Sequence, residues 1–267
     1  MSSTFAAKAS AAIVRAGIAA VGYLPLGLVR AFGSGMGSLA RIANTRMAVA
    51  TRQNIAYCLP ELSPSEQQLL VANSLKETGK LAFETAVVWT RSPSWVLSRI
   101  TKKHGENYIT DALAKGQGVL ILAPHIGNWE VLNYYLASLG PVTNMYQPPK
   151  ALGMDEVLQD VRTRCKATLV PTDRKGLMAI LKVLKEGGLS GILPDQTPKD
   201  DASGLFAPFM AHHAFTMTLA HKLVKKSGCC PLFAYAKRVE GGFELFINPV
   251  PDGMFSDDEQ TLSLIHI

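Results

Sequence analysis

The pattern of apolar and polar positions changes character near residue 118. Before it, apolar residues recur mostly at helical spacing. After it, short apolar runs alternate with amphipathic stretches. The runs "GVLILAP" (118–124) and "LSGILPDQ" (189–196) have the length and character of buried parallel strands. Shorter strands are predicted at "TNMYQ" (143–147) and "ATLVP" (167–171), and "CCPLFAYAKR" and "FELFINPV" read as a hairpin around "EGG". Between them helices are predicted at 129–139, at 153–165, at 174–186 and, after the long loop "TPKDDASGLFAPFMAHH", at 214–227. Upstream, helices are predicted at 41–58, 64–90, 94–99 and 107–115, with Gly116 stopping the last. Ser63, Pro64 and Glu66 form a capping-box start for the helix at 64. Alternating strands and helices imply an α/β fold, a mostly parallel sheet flanked by helices. No internal repeat or low-complexity segment interrupts it.

The first 40 residues differ in kind. They are rich in alanine and glycine, and residues 16–29 carry no charge. Fourteen helical residues reach roughly 21 Å, short of the ~30 Å hydrocarbon core of a bilayer. Extending the run back to Ala11 includes Arg15, which must then reach the interface. Pro25 interrupts the run and no A-x-A site follows, so a signal peptide fits poorly. The expectation is membrane association, as a tilted span or an interfacial helix; the alternative is an apolar helix packed on the domain. "GSGMG" (33–37) lacks a preceding strand and reads as a flexible turn rather than a phosphate loop. The predicted organisation is a basic apolar, membrane-associating segment over 1–40 and a folded domain over 41–267.

Charge sharpens this division. Lys8, Arg15, Arg30, Arg41, Arg46 and Arg52 are the charged residues among the first 60, and the first acid is Glu61. These six cations match the whole net charge of +6, so the remainder is neutral. A nucleic-acid binder would carry its basic charge on the folded body, so no nucleic-acid partner is expected. Cations confined to an apolar leader suit an anionic membrane, where each contributes about 1 kcal/mol. The chain is 48% hydrophobic, enough for a large core. Cys58, Cys165, Cys229 and Cys230 form no C-x-x-C pair, so no metal is expected and all four read as reduced packing residues.

The candidate chemistry lies in "APHIGNWE" (123–130). His125 follows a buried strand, at the carboxyl edge where α/β sheets gather ligands. Asn128 is a helix N-cap residue, which puts Glu130 in the first helical turn, where the dipole favours an anion. A loop histidine and a first-turn glutamate can converge, as a base near neutral pH and its orienting acid. Taken singly, a loop histidine is more often a plain hydrogen-bonding residue, and H-x-x-x-x-E is a weak pattern. No G-x-S-x-G elbow or Walker loop is present, so a base here must act on a hydroxyl or water brought by the substrate.

"GVLILAPHIGNWE" resembles the H-x-x-x-x-[DE] signature of the late lipid A biosynthesis acyltransferases. "ILPDQTPKDDASGLFAPFMAHHAFTMTLA" is similar to their second block, and "NTRMAVATRQNIAYCLPELS" to their N-terminal region. The resemblance spans roughly residues 20–250. It implies a membrane-bound enzyme of the cytoplasmic face of the bacterial inner membrane, needing no cofactor. It implies transfer of a fatty acyl chain from acyl carrier protein to a hydroxyl of a phosphorylated lipid A precursor. By resemblance His125 is the general base, Glu130 its partner, and Arg162 and Asp195 further site residues. Asp195 closes the strand "GILPD" and should share the edge of His125. Arg162, on "MDEVLQDVRTRC", suits an oxyanion or a phosphate; the alternative is an ion pair with Asp195 that ties helix to strand.

Gln147 stands where many members of that family carry an arginine. The family also continues with an aromatic, arginine-rich segment, so a C-terminal truncation or a foreign tail is expected after "DDEQ". Two rivals stand beside this reading: an acyltransferase of another membrane lipid, such as a lysophospholipid or glycolipid, and a non-catalytic membrane-peripheral protein. Glu130, in place of the aspartate usual in glycerolipid acyltransferases, argues against the lysophospholipid.

Overall fold

Four consecutive apolar residues, Val119–Leu122, form a strand buried along its whole length. In the computed structural model, which describes residues 2–148, 154–165, 167–198, 201–251 and 253–255, that strand stands mid-sheet. In chain order the strands are β1 (Ile100–His104), β2 (Val119–Leu122), β3 (Val142–Tyr146), β4 (Ala167–Pro171), β5 (Leu189–Ile192), β6 (Gly204–Phe209), β7 (His212–Met217), β8 (Cys230–Val239) and β9 (Gly242–Pro249). Seven form one sheet in the order β1-β9-β8-β2-β5-β3-β4. Its ladders are parallel except β8–β9, the expected hairpin.

Helices cover both faces. They are α1 (Ser2–Gly22), α2 (Leu26–Ile42), α3 (Arg46–Cys58), α4 (Pro64–Thr90), α5 (Pro93–Ser98), α6 (Glu106–Ala114), α7 (Trp129–Leu139), α8 (Met154–Arg164), α9 (Arg174–Lys185) and α10 (Leu219–Ser227). Successive side chains of β2 point to opposite faces. Val119 and Ile121 enter one core with Ile109 of α6 and Val131, Leu132 and Tyr135 of α7. Leu120 and Leu122 enter the other with Ile180 and Leu184 of α9 and Leu223 of α10. A strand buried on both faces needs apolar residues at every position, as this run supplies.

The α/β architecture and the start of α4 at Pro64, with its full capping box, agree with the sequence. Four expectations need correction. "GSGMG" is not a turn but the middle of α2. Side chains added at Gly33 and Gly37 would collide with the backbone of α4 at Gly79 and Leu75. Glycine there lets two helices touch backbone to backbone. The predicted helix 41–58 is broken at Ala43–Thr45, where Asn44 has φ 50° and Thr45 caps α3. β1 was not anticipated; its alternation is weak because it lies at the sheet edge, exposed along most of its length. The loop before residue 214 contains β6, and the predicted helix 214–227 starts only at Leu219, because residues 212–217 pair with β6 as β7.

The N-terminal helices lean on this frame. Arg91 donates to the carbonyls of Gly22 and Tyr23, closing the corner between α1 and α2. Arg30 of α2 reaches Glu84 of α4 at 2.6 Å and donates to the carbonyls of Val239 and Gly242 in the β8–β9 turn. Arg238 of β8 meets the same carboxylate at 2.7 and 2.8 Å. Glu84 is fully buried, so its charge is held between two guanidinium groups rather than by water. The opposite face of α2 is apolar and uncovered: Leu28, Phe32, Met36, Leu39 and Ile42 are between 49% and 75% exposed. At 100° per residue they share roughly a third of the helix circumference. No single helix among the described residues is long and apolar enough to cross a membrane; Ala11–Gly22 and Leu26–Ile42 together are, but they bend by 114° at their break.

Candidate active site

The register of two parallel strands builds the site. β2 pairs with β5 so that Leu122 lies opposite Ile192. His125 follows the end of β2 by three residues and Asp195 follows the end of β5 by three. The sheet therefore delivers the two side chains to the same edge at the same height. His125 Nδ1 lies 2.8 Å from Asp195 Oδ1, and the His125 backbone N–H donates to Asp195 Oδ2 at 2.7 Å. Both side chains are about one-third exposed (31% and 30%), open to an incoming molecule.

The loop between strand and helix is tied down residue by residue. Gly127 has φ 65°, and a Cβ there would strike the Ala236 carbonyl oxygen of β8. That carbonyl accepts from Asn128 N at 2.9 Å. Asn128 caps α7 by accepting from Val131 N at 3.3 Å, as expected, while its amide faces Glu84 at 3.5 Å. Glycine is required here because the chain touches the neighbouring strand in a left-handed conformation.

A carboxylate only accepts hydrogen bonds, so the His125 proton sits on Nδ1 and Nε2 presents its lone pair. Burial pushes the Asp195 carboxyl up, but the hydrogen bonds from the ring and backbone N–H of His125 outweigh this and hold it below its usual value. Gln196 places its amide nitrogen 3.3 Å from His125 Nε2. Trp129 packs edge-on against the imidazole, ring centroids 4.9 Å apart. The site thus holds an oriented imidazole, with Nδ1 bonded to Asp195 and Nε2 facing the Gln196 amide.

The sequence expected Glu130 on the second nitrogen of His125. Asp195 makes that hydrogen bond instead. Strand register sets Asp195 opposite His125, whereas Glu130 lies in the first turn of α7 and is almost completely buried. It is near enough to Tyr134, one turn along, to help raise that phenol's pKa, after burial and Cys165. Arg162 falls within α8, but its side chain lies outside the described residues. Asp195 does share the edge of His125, as expected.

A cavity of about 1050 Å³ opens beside this pair, large for a small-molecule pocket. Asp195, Gln196 and Ile126 line its end nearest His125, Ile55 and Cys58 of α3 one wall, and Phe209 and Phe215 of the β6–β7 hairpin another. His212 of β7 stacks on Tyr57 of α3 at 3.5 Å and joins these walls. Among the described residues no three His, Cys, Asp or Glu side chains converge as a metal site requires.

Sequence reading missed Gln196, Glu84, Arg30 and Arg238. Gln196 had a signal, since it follows Asp195 in the quoted block. Glu84 had a faint one, as the acid of the apolar stretch "LAFETAVVW".

The bacterial lipid A biosynthesis acyltransferase family model matches residues 3–264. The chain is similar to the lipid A biosynthesis lauroyltransferase of Escherichia coli K12, at 27% identity over 89% of this chain and 78% of that protein. The palmitoleoyltransferase of the same organism matches at 26% identity, covering 91% and 79%. A lipid A biosynthesis acyltransferase of Haemophilus influenzae matches at 24%, covering 76% and 65%.

Proposed function

The chain belongs to the bacterial lipid A biosynthesis acyltransferase family, and from that membership we propose that it transfers a fatty acyl chain from acyl carrier protein to a hydroxyl of a phosphorylated lipid A precursor. The observation that carries the reading is the cavity, which joins an apolar interior to the edge bearing His125 and Asp195. An acyl chain needs the first and an acylation needs the second.

In this reading His125 is the general base. Its Nε2 takes the proton of the acceptor hydroxyl as the new C–O bond forms, a contribution of about 10²–10⁴ in rate. The carbonyl oxygen of the acyl thioester becomes an oxyanion. Its collapse breaks the C–S bond, and the departing thiolate takes the proton from Nε2. Asp195 holds the imidazole in the productive tautomer and stabilises the imidazolium. Glu130, buried in the first turn of the following helix, acts on the site through its charge. Arg162 is assigned to a phosphate of the acceptor, where a guanidinium fork fits.

The same reading places the enzyme on the cytoplasmic face of the inner membrane. The uncovered apolar stripe of α2 supports this, with Arg41, Arg46 and Arg52 exposed at the end of α2 and on α3 to meet anionic headgroups. Residues 1–40 then serve as the membrane-associating segment and the rest as the acyltransferase domain.

The test is a mass spectrum of a lipid A precursor incubated with enzyme-bearing membranes and acyl carrier protein loaded with acyl chains of mixed length. One added chain is expected, and none with His125→Ala recovered in equal amount. Unchanged acylation by His125→Ala overturns the base. Acylation of a lysophospholipid alone overturns the acceptor.

A further inference from the structure

The hydrogen bond from Gln196 to His125 sits where the reaction must begin. Asp195 fixes the proton on Nδ1, so the lone pair on Nε2 is the only ring site able to take a substrate proton. The Gln196 amide covers that lone pair at 3.3 Å. The acceptor hydroxyl must displace it before the base can act. The glutamine is exposed, lines the cavity, and its side chain has no other hydrogen-bond partner among the described residues. Nothing in the fold requires the amide to stay on the imidazole. Nothing draws it away from the reacting centre either.

We infer that Gln196 is a catalytic residue: once displaced from Nε2, its amide donates to the carbonyl oxygen of the acyl donor and stabilises the oxyanion. This rests on His125 being the general base. An oxygen seated at Nε2 attacks a carbonyl carbon next to it, so the developing oxyanion stands within about 3 Å of the amide's resting place, the range such donors occupy. The amide is a neutral donor with two N–H groups, and it has one acceptor in the resting site and a new one in the transition state. The electron pair of the C=O bond moves onto that oxygen as the hydroxyl proton moves to Nε2. It returns when the C–S bond breaks, and the amide supplies or consumes no proton. Position and chemistry follow from one local feature. Gln196 is the neighbour of Asp195, so the turn after β5 places an acceptor on Nδ1 and a donor on Nε2.

The experiment measures initial rates of the full chain in membranes, with acyl carrier protein carrying the acyl donor and varied lipid A precursor. Gln196→Ala is expected to lower kcat by roughly 10²–10³, the cost of removing one oxyanion donor, with KM for either substrate changed little. Its thermal midpoint should match the parent, because the side chain is exposed and makes one hydrogen bond. Gln196→His, which keeps an N–H donor, should recover a measurable part of kcat. Unchanged or raised kcat in Gln196→Ala overturns the inference, as does a loss confined to KM. So does a loss of kcat accompanied by a lowered midpoint and no recovery in Gln196→His. His125→Ala run in parallel separates the two readings. Activity in that variant removes the general base itself. An inactive His125→Ala beside a fully active Gln196→Ala removes only the role of Gln196.

Discussion

At the residue scale the site is a question of which acid holds the imidazole. Asp195 does so by one hydrogen bond to ring Nδ1, and it takes a second from the His125 backbone N–H. Asp195→Asn should therefore lower kcat by roughly 10²–10⁴, because an amide no longer enforces the tautomer or balances the imidazolium. Glu130→Gln should cost less, since Asp195 keeps its hydrogen bond to the ring. The reverse order in a rate assay would return the orienting role to Glu130. The pair also has a pH signature. The Asp195 carboxyl is held below its unfolded value of about 3.9, so the stability it adds is present above that pH. It is lost as pH falls through the lower folded value. The protection factor of the His125 backbone amide against hydrogen exchange, corrected for the intrinsic rate at each pH, should fall as the pH drops through the lowered Asp195 value. A protection factor that stays constant down to full protonation of Asp195 would show that the carboxylate does not protect it.

At the scale of elements, the buried Glu84 joins α2, α4 and β8, and faces the cap of α7. Its two arginines come from positions 208 residues apart, which a local pattern cannot relate. Removing the acid takes the shared carboxylate from two part-buried guanidinium groups, leaving Arg30 with carbonyl acceptors alone and Arg238 with Glu77. Glu84→Ala should destabilise the protein by about 3–5 kcal/mol, read as a lower midpoint in urea unfolding. Replacing all three with apolar residues should be far milder, since a buried ion pair adds little beyond satisfying itself. A single Glu84→Ala within 1 kcal/mol of the parent, about the worth of one ordinary hydrogen bond, would show the network to be solvated.

At the scale of the whole molecule, the uncovered stripe of α2 gives the enzyme a sided surface. Large exposed apolar faces mark interaction sites, and the proposed anionic membrane would suit the exposed Arg41, Arg46 and Arg52 nearby. Full-length protein should float with vesicles containing anionic phospholipid and much less with neutral ones. Leu28→Ser, Phe32→Ser and Leu39→Ser together should lower the bound fraction tenfold or more, since each buried side chain is worth about 1.5–3 kcal/mol. These positions face away from α4, so the variant should keep its thermal midpoint in detergent. Undiminished flotation would move the membrane contact elsewhere on the chain.

The sequence by itself determined the α/β class, most helices and core strands, and the place of His125 at a strand end. Those features are local: apolar runs, caps and breakers act over a few residues. Asn128 was legible as a cap because its partner is three residues away. The tertiary structure decided what depends on distant segments. The partner of His125 is set by the alignment of β2 with β5, 70 residues apart, and no spacing rule connects them. The β6–β7 hairpin appeared as a loop and a helix start because its strands are stabilised by pairing with each other. "GSGMG" read as a turn because glycine disfavours isolated helix. It is helical because contact with α4 leaves no room for a side chain, and close backbone packing outweighs intrinsic propensity.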